Sequence, residues 1–430
     1  MMLASMETPP TDNAAPPVVD APPGNAAAEA DAPESRLARL AELVRVFGLI
    51  GITGFGGPAA HLALMEEQVV RRRGWIPAQE FVDYVGATNL VPGPNAPEVA
   101  AHVGLKRAGW LGLPVAGLSF VLPGVLLTLL LAWAYRRYGT MPQAEALLWG
   151  VKPVVVAVVA MATWRMGRVA VRGGPCMALA AVALGLALAG FGEIPILFGM
   201  GVAGMFVLRR LRRDDDTGPR DPVEARRTGI ALAVATVAVA ALAVAASMAS
   251  AATAAPGEPG LAGMGFYFAK IGAVLYGSGY VLIAFIEGGL VNDLKWLTQP
   301  QLLDAIAVGQ LTPGPLTTTA TFIGYQLLGW PGALVATLGM FLPGFGFVAV
   351  LSRVLPRLRR SPWAAAFLDS VNAVAIALMA EVVLRLGMEM LVSAAAWGIA
   401  VAALVAGVRF RVATPLLMVA GALVGLLAAR

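Results

Sequence analysis

Leu90-Val91-Pro92-Gly93-Pro94-Asn95 and Leu311-Thr312-Pro313-Gly314-Pro315-Leu316 both interrupt apolar sequence long enough to be buried in a membrane. Neither stretch can continue a helix: each proline lacks a backbone donor and clashes with the preceding turn, and the glycine between them adds conformational freedom. In hydrocarbon a broken backbone must be satisfied by protein, water or a ligand. Two such breaks in equivalent places therefore mark a candidate binding site.

Of the 430 residues, 58% are hydrophobic and 13% charged, and the mean hydropathy is +0.75; such values lie outside the range of soluble domains. Apolar runs at 111–135, 146–164, 174–192, 229–251, 332–351, 363–384, 391–408 and 412–429 approach the length that crosses about 30 Å of hydrocarbon. An all-α polytopic membrane protein, seated in a lipid bilayer, is expected. The net charge of +5 comes from basic residues clustered between apolar runs, a distribution that reports topology and does not call for nucleic acid. A single cysteine, Cys176, excludes an intrachain disulfide, and with only His61 and His102 beside it a protein-built metal centre is disfavoured. No GxxxxGK[ST] loop occurs, so transport energy would come from an ion gradient, and no cofactor is called for.

Laid on itself, the sequence repeats. With a shift of 221, Phe47 falls on Phe268, Gly51 on Gly272, Glu66 on Glu287, Trp75 on Trp296, Asp83 on Asp304 and Pro92-Gly93-Pro94 on Pro313-Gly314-Pro315. One residue is then lost, and a shift of 220 places Gly104 on Gly324, Leu122-Pro123-Gly124 on Leu342-Pro343-Gly344, Arg165 on Arg385 and Pro195 on Pro415. The chain is a duplicated unit.

The expected organisation is a disordered cytoplasmic tail over 1–34, a first repeat over 35–210, a charged cytoplasmic linker over 211–228, a connecting transmembrane helix over 229–251 and a second repeat over 262–430. The connecting run has no counterpart in either repeat. If each repeat crosses an even number of times, one extra crossing inverts the second relative to the first. The charges agree, because Arg71-Arg72-Arg73 and Lys106-Arg107 face nearly neutral partners, while Arg353, Arg357, Arg359 and Arg360 outnumber Arg136-Arg137. Two inverted-topology repeats with broken helices are a common transporter design, with the site near the midplane.

Gly54-Phe55-Gly56-Gly57-Pro58, the stretch from Asn89 through Pro92-Gly93-Pro94 to Glu98, and the stretch from Gln310 through Pro313-Gly314-Pro315 to Tyr325 resemble the motifs of the chromate ion transporter family, in its two-domain type. The resemblance runs from about residue 40 to the end. It implies a multi-pass carrier of the bacterial inner membrane that exports chromate, driven by protons, with sulfate as the isosteric competitor. Neither composition nor spacing indicates chromate. A sulfate-type oxyanion importer, a passive anion channel and a membrane enzyme are the alternatives, and a homodimer is left open. Clustered His, Cys or Asp ligands and a nucleophile-base spacing are missing from the sequence, which weighs against the enzyme.

A tetrahedral oxyanion needs buried donors without a tight fixed charge, and helix N-termini supply them. The segments after Pro94 and Pro315 would present such ends, with Asn95 beside one and Thr317, Thr318, Thr319 and Thr321 beside the other. The expected anion site comprises these residues together with Pro92, Gly93, Pro313, Gly314, the glycine break Gly56, Gly57 and Pro58, and Lys152 as a neutralising charge. Thr and Asn also cap helices, and small residues also allow tight packing. For proton coupling the candidates are Glu66, Glu98, Glu287, Glu381 and His102, because ionisable groups in a membrane tend to lie on ion paths. Interfacial placement of Glu66, snorkelling of Lys152 and simple packing of the histidines are the competing readings. Trp75 and Trp296 are expected as interface anchors.

Overall fold

Helices begin and end where the sequence supplies caps and breakers. The computed structural model describes residues 35–55, 57–89, 92–171, 173–211, 258–276, 279–351 and 361–428. The expected tail, the linker after residue 211, the connecting helix 229–251 and Gly56 lie outside the described residues. In the first repeat, α1 is Arg36–Thr53, α2 Pro58–Glu66 with a π-helical extension Glu67–Arg72, α3 Ala78–Thr88 and α4 Ala96–Ala108. Four more helices follow: α5 Gly112–Tyr138, α6 Pro142–Ala170, α7 Gly173–Leu188 and α8 Glu193–Leu211. In the second, α9 is Leu261–Val274, α10 Val281–Ile286 with a π-helical extension Glu287–Asp293, and α11 Gln299–Leu311. A 3-10 turn Leu316–Thr318 leads into α12 Thr319–Leu351, followed by α13 Pro362–Met390, α14 Ala394–Arg409 and α15 Thr414–Ala428. Among the described residues there is no strand.

The duplication read from sequence is reproduced element by element. Ser35 caps α1 by accepting from the Ala38 N–H at 3.2 Å, Pro58 opens α2, and Thr298 with Gln301 forms a capping box on α11. Helix α12 holds the counterparts of both α4 and α5, merged across Gly329, whose φ of 66° matches the 70° of Gly109. The residue lost between the two registers is accounted for at Asn95, which takes a left-handed φ of 58° ahead of α4, where the second repeat passes directly from Pro315 into its 3-10 turn.

Neither break spans. Arg73 and Arg107 both pair with Glu42 near the start of α1, at 3.4 and 3.2 Å, and Lys106 pairs with Glu80 at the start of α3 at 3.0 Å. The starts of α1 and α3 and the ends of the α2 extension and α4 thus lie together. Helix pairs α1–α2 and α3–α4 are therefore hairpins whose tips lie at Gly54 and Pro58 and at Pro92–Pro94.

Helix α5, about 40 Å long at 1.5 Å per residue, shows the inversion. Its N-terminus follows the first hairpin base at Gly109, whereas the equivalent glycine of the second repeat, Gly329, lies against the Arg136 guanidinium at its C-terminus. The two sets of hairpins therefore enter from opposite ends of a spanning helix.

Their tips interlock. The Gly93 N–H donates to the Leu275 carbonyl at 2.6 Å, and its counterpart Gly314 donates to the Gly54 carbonyl at 2.9 Å. Gly54 and Leu275 end α1 and α9, so each Pro-Gly-Pro turn satisfies a helix C-terminal carbonyl of the other repeat. The φ of 147° at Gly93 and 91° at Gly314 admit only glycine comfortably.

The long helices are exchanged between repeats. Helix α6 packs on α14 and α15 of the second repeat, and α13 packs on α7 and α8 of the first. Small residues make this possible: Gly150 lies against the backbone of Gly421 and Gly425, Gly407 against Met161, and Gly201 against Val371.

Candidate functional site

Four helical restarts converge on one central cavity. It is lined by Gly57 and Pro58 at the start of α2, Pro94 and Ala96 at the start of α4, Gly279 and Tyr280 at the start of α10, and Gly314 to Thr317 ahead of α12. Thr414 and Pro415, which open α15, close one wall. The positive dipole ends of these helices lie at the same space, although at α4 the Asn95 N–H is taken by Glu98 and the Ala96 N–H by the Pro94 carbonyl. The enclosed volume is about 30 Å³, room for one or two waters, so this conformation is nearly shut.

Within the cavity wall the threonine cluster divides. The Thr318 hydroxyl donates to the Pro315 carbonyl at 3.1 Å and receives from Thr128, Thr319 donates to Leu316 at 2.7 Å, and Thr321 bonds Thr337 at 2.7 Å. These three hold the turn and the helix packing. Thr317 is fully buried, lines the cavity, and its Oγ1 has no hydrogen-bond partner. The Gln310 Nε2 donors, also on the wall, have none either. Buried polar groups are rarely left this way unless a ligand or water takes the place.

Of the remaining expected anion ligands, Gly57, Pro58, Pro94, Gly314 and Pro315 reach the cavity, whereas Pro92, Gly93 and Pro313 form the turns behind it. Asn95 donates through Nδ2 to the Asn89 Oδ1 at 3.0 Å. The expectation for Lys152 changes. It pairs across the repeats with Asp304 on α11 at 3.4 Å, a carboxylate that also accepts from the Tyr135 hydroxyl at 2.8 Å, so it compensates protein charge.

The proton candidates separate as well. Glu66 is part-exposed and paired with Arg71 at 3.1 Å. Glu98 is fully buried and its Oε2 accepts the Asn95 N–H at 3.1 Å in a capping box; its Oε1 is unpartnered and wedged against Gly93 and Gly344. His102 stacks on Tyr84, with ring centroids 5.1 Å apart, away from the cavity wall. The histidine on that wall is His61, whose Nε2 lies 3.0 Å from the Gly54 carbonyl and must carry the hydrogen there, because a carbonyl only accepts. Glu287 and Glu381 meet in a second cavity, with Glu193 between them.

Sequence reasoning did not single out Gln310, Tyr280 or Glu193. Gln310 is the register partner of Asn89, which was the available signal; Glu193 has none, because its counterpart is Ala413. Trp296 is 5% exposed and tilts against Tyr267, so it is a core residue and no interface anchor. Trp75 does lie under the Arg73 and Arg107 guanidinium groups.

Inverted hairpins of apolar helices meeting at helix N-termini are the architecture of a helical membrane transport protein. The chromate transporter family model matches residues 41–207 and 262–426, and the chain belongs to that family. It is 29% identical over 390 residues to a chromate transport protein of Cupriavidus metallidurans, covering 90% of this chain and 93% of that one. It is 28% identical over 394 residues to a probable chromate transport protein of Synechococcus elongatus, covering 90% and 95%. An uncharacterized transporter of Bacillus subtilis, YwrA, is 31% identical over 125 residues, 29% of this chain and 70% of its own. No solved structure matches the chain.

Proposed function

We propose that the protein is a secondary transporter that exports chromate, with sulfate as a competitor, from a bacterial cell across the inner membrane in exchange for protons. The observation that carries this reading is the convergence of four helix N-termini and the unpartnered Thr317 and Gln310 donors on one cavity. Together they offer an oxyanion N–H and O–H donors, and no Lys or Arg is among the described residues that line the cavity, so the anion can be bound and released. Because hairpin tips from opposite faces form the wall, rocking one repeat against the other opens the cavity to either side in turn. The face bearing Arg71 to Arg73, Lys106 and Arg107 is the cytoplasmic one by the positive-inside rule.

Everted vesicles containing the protein test the reading. They should accumulate labelled chromate in a manner abolished by an uncoupler and competed by sulfate. Uptake that ignores the gradient would indicate a channel, and no uptake would remove chromate as the substrate.

A further inference from the structure

The second cavity, about 170 Å³, lies between the Gly190–Glu193 turn, the π-helical extension of α10 and α13. Glu193, Glu287, Asp293, Glu381 and Arg385 line it. Lys270 on α9 and Glu389 on α13 stand within electrostatic reach, and Tyr267 lies under Lys270. Five carboxylates thus face two cations. Arg385 is committed to Glu381 one turn away, and Lys270 stands near Glu193 and Asp293.

Glu287 stands within electrostatic reach of Arg385 but has no ion pair of its own among the described residues. It is 2% exposed, its Oε1 accepts from Gln299 Nε2 at 2.8 Å, and its Oε2, on the cavity wall, has no partner. A buried carboxylate oxygen bordering a space large enough for several waters is placed to take up a cation. No three carboxylate, His or Cys side chains among the described residues stand close enough to share a metal ion, which favours the proton.

The arrangement is confined to this side. The positions equivalent to Glu193, Asp293, Glu381 and Lys270 are Ala413, Arg72, Met161 and Leu49, and the partner of Glu287 is the surface-paired Glu66. The helical segment carrying Glu287 starts at Tyr280 on the anion cavity wall, about 10 Å away at 1.5 Å per residue. One rigid element therefore touches both cavities.

Resting on the transporter reading above, we propose that the acidic cavity is the loading site of the coupling proton, with Glu287 its acceptor. A hydronium ion entering from the face opposite Arg71 to Arg73 gives its proton to the Glu287 Oε2 and leaves as water. The proton returns to water when the segment tilts and the cavity faces the other side. Because the same segment forms the anion cavity, the two ions occupy different conformations, as exchange requires.

Purified protein in liposomes separates this idea from the one it rests on. Chromate/chromate exchange without a gradient needs only the anion site, whereas accumulation against a pH gradient needs both. Glu287→Gln, which keeps the Gln299 hydrogen bond, should retain exchange while accumulation falls about tenfold or more, a loss worth at least about 1.4 kcal/mol of coupling. Glu66→Gln should behave as wild type in both assays. No exchange by the wild-type protein would sink the transporter reading itself. Normal accumulation by Glu287→Gln, loss of exchange along with it, or accumulation driven by a sodium gradient in place of a pH gradient would each overturn the assignment of Glu287.

Discussion

Replacing Thr317 by valine removes one hydroxyl and little else, since the two side chains share a shape. In the empty protein that hydroxyl is buried with no partner, and an uncompensated buried hydroxyl costs about 1–3 kcal/mol. The variant should therefore be as stable as wild type or more so. With an oxyanion in the cavity the hydroxyl becomes a donor to a charged acceptor, worth about 1.5–3 kcal/mol. Its loss should weaken binding roughly 10- to 150-fold at 1.4 kcal/mol per decade. Thr318→Val is the control, because its hydroxyl already serves Pro315 and Thr128. It should lower stability by about 1 kcal/mol and leave affinity nearly alone. Thermal unfolding in detergent gives the first quantity, and the concentration dependence of chromate exchange in liposomes the second. If Thr317→Val melts earlier than wild type and exchanges chromate with an unchanged half-saturating concentration, the hydroxyl is structural and the argument from its missing partner fails.

Other positions yield shorter tests. Gly93→Ala must place a methyl group against Glu98 at a φ that L-residues avoid, so membrane abundance should collapse, whereas Gly185→Ala, in open space, should accumulate normally. Asp304→Leu alone strands Lys152 and should destabilise by about 3–5 kcal/mol, while adding Lys152→Met should recover most of that loss on thermal unfolding. Gly150→Leu would drive a side chain into the backbone of Gly421 and Gly425 and should cut membrane abundance, whereas Gly398→Ala, in open space, should accumulate normally; normal abundance of Gly150→Leu would refute the exchanged helix packing. Cysteines at Gly109 and Gly329 should react with an impermeant thiol reagent from opposite sides of intact and everted vesicles, and labelling from one side only would refute the inversion.

The sequence discloses a feature when the feature is local or repeated. Pro92-Gly93-Pro94 and Pro313-Gly314-Pro315 each announce a break because proline chemistry acts within one turn, and the register of 221 ties them together because the copies have kept their glycines. Whether a break spans or folds back is decided elsewhere, by Glu42 receiving Arg73 and Arg107 from residues far along the chain. Three adjacent threonines look alike in sequence, yet Thr317 differs from Thr318 only in what the fold brings to its hydroxyl. Glu193 joins Glu287 and Glu381 through helix exchange, and no periodicity within either repeat records that meeting.

The exchanged helices also impose an order on biogenesis. A chain emerging from the ribosome presents α7 and α8 long before α13, on which they pack, has been made, and α6 waits still longer for α14 and α15. N-terminal domains ordinarily fold first during synthesis, but here the first repeat has inserted well before its interior surfaces can be covered. Its small-residue face at Gly201 must be screened by lipid or an insertion factor until α13 arrives, and that at Gly150 until the last two helices do. A chain stopped at residue 390 would keep α13 on α7 and α8 but leave bare the face of α6 that α14 and α15 cover, and degradation of such a fragment should begin at α6, far from the missing end.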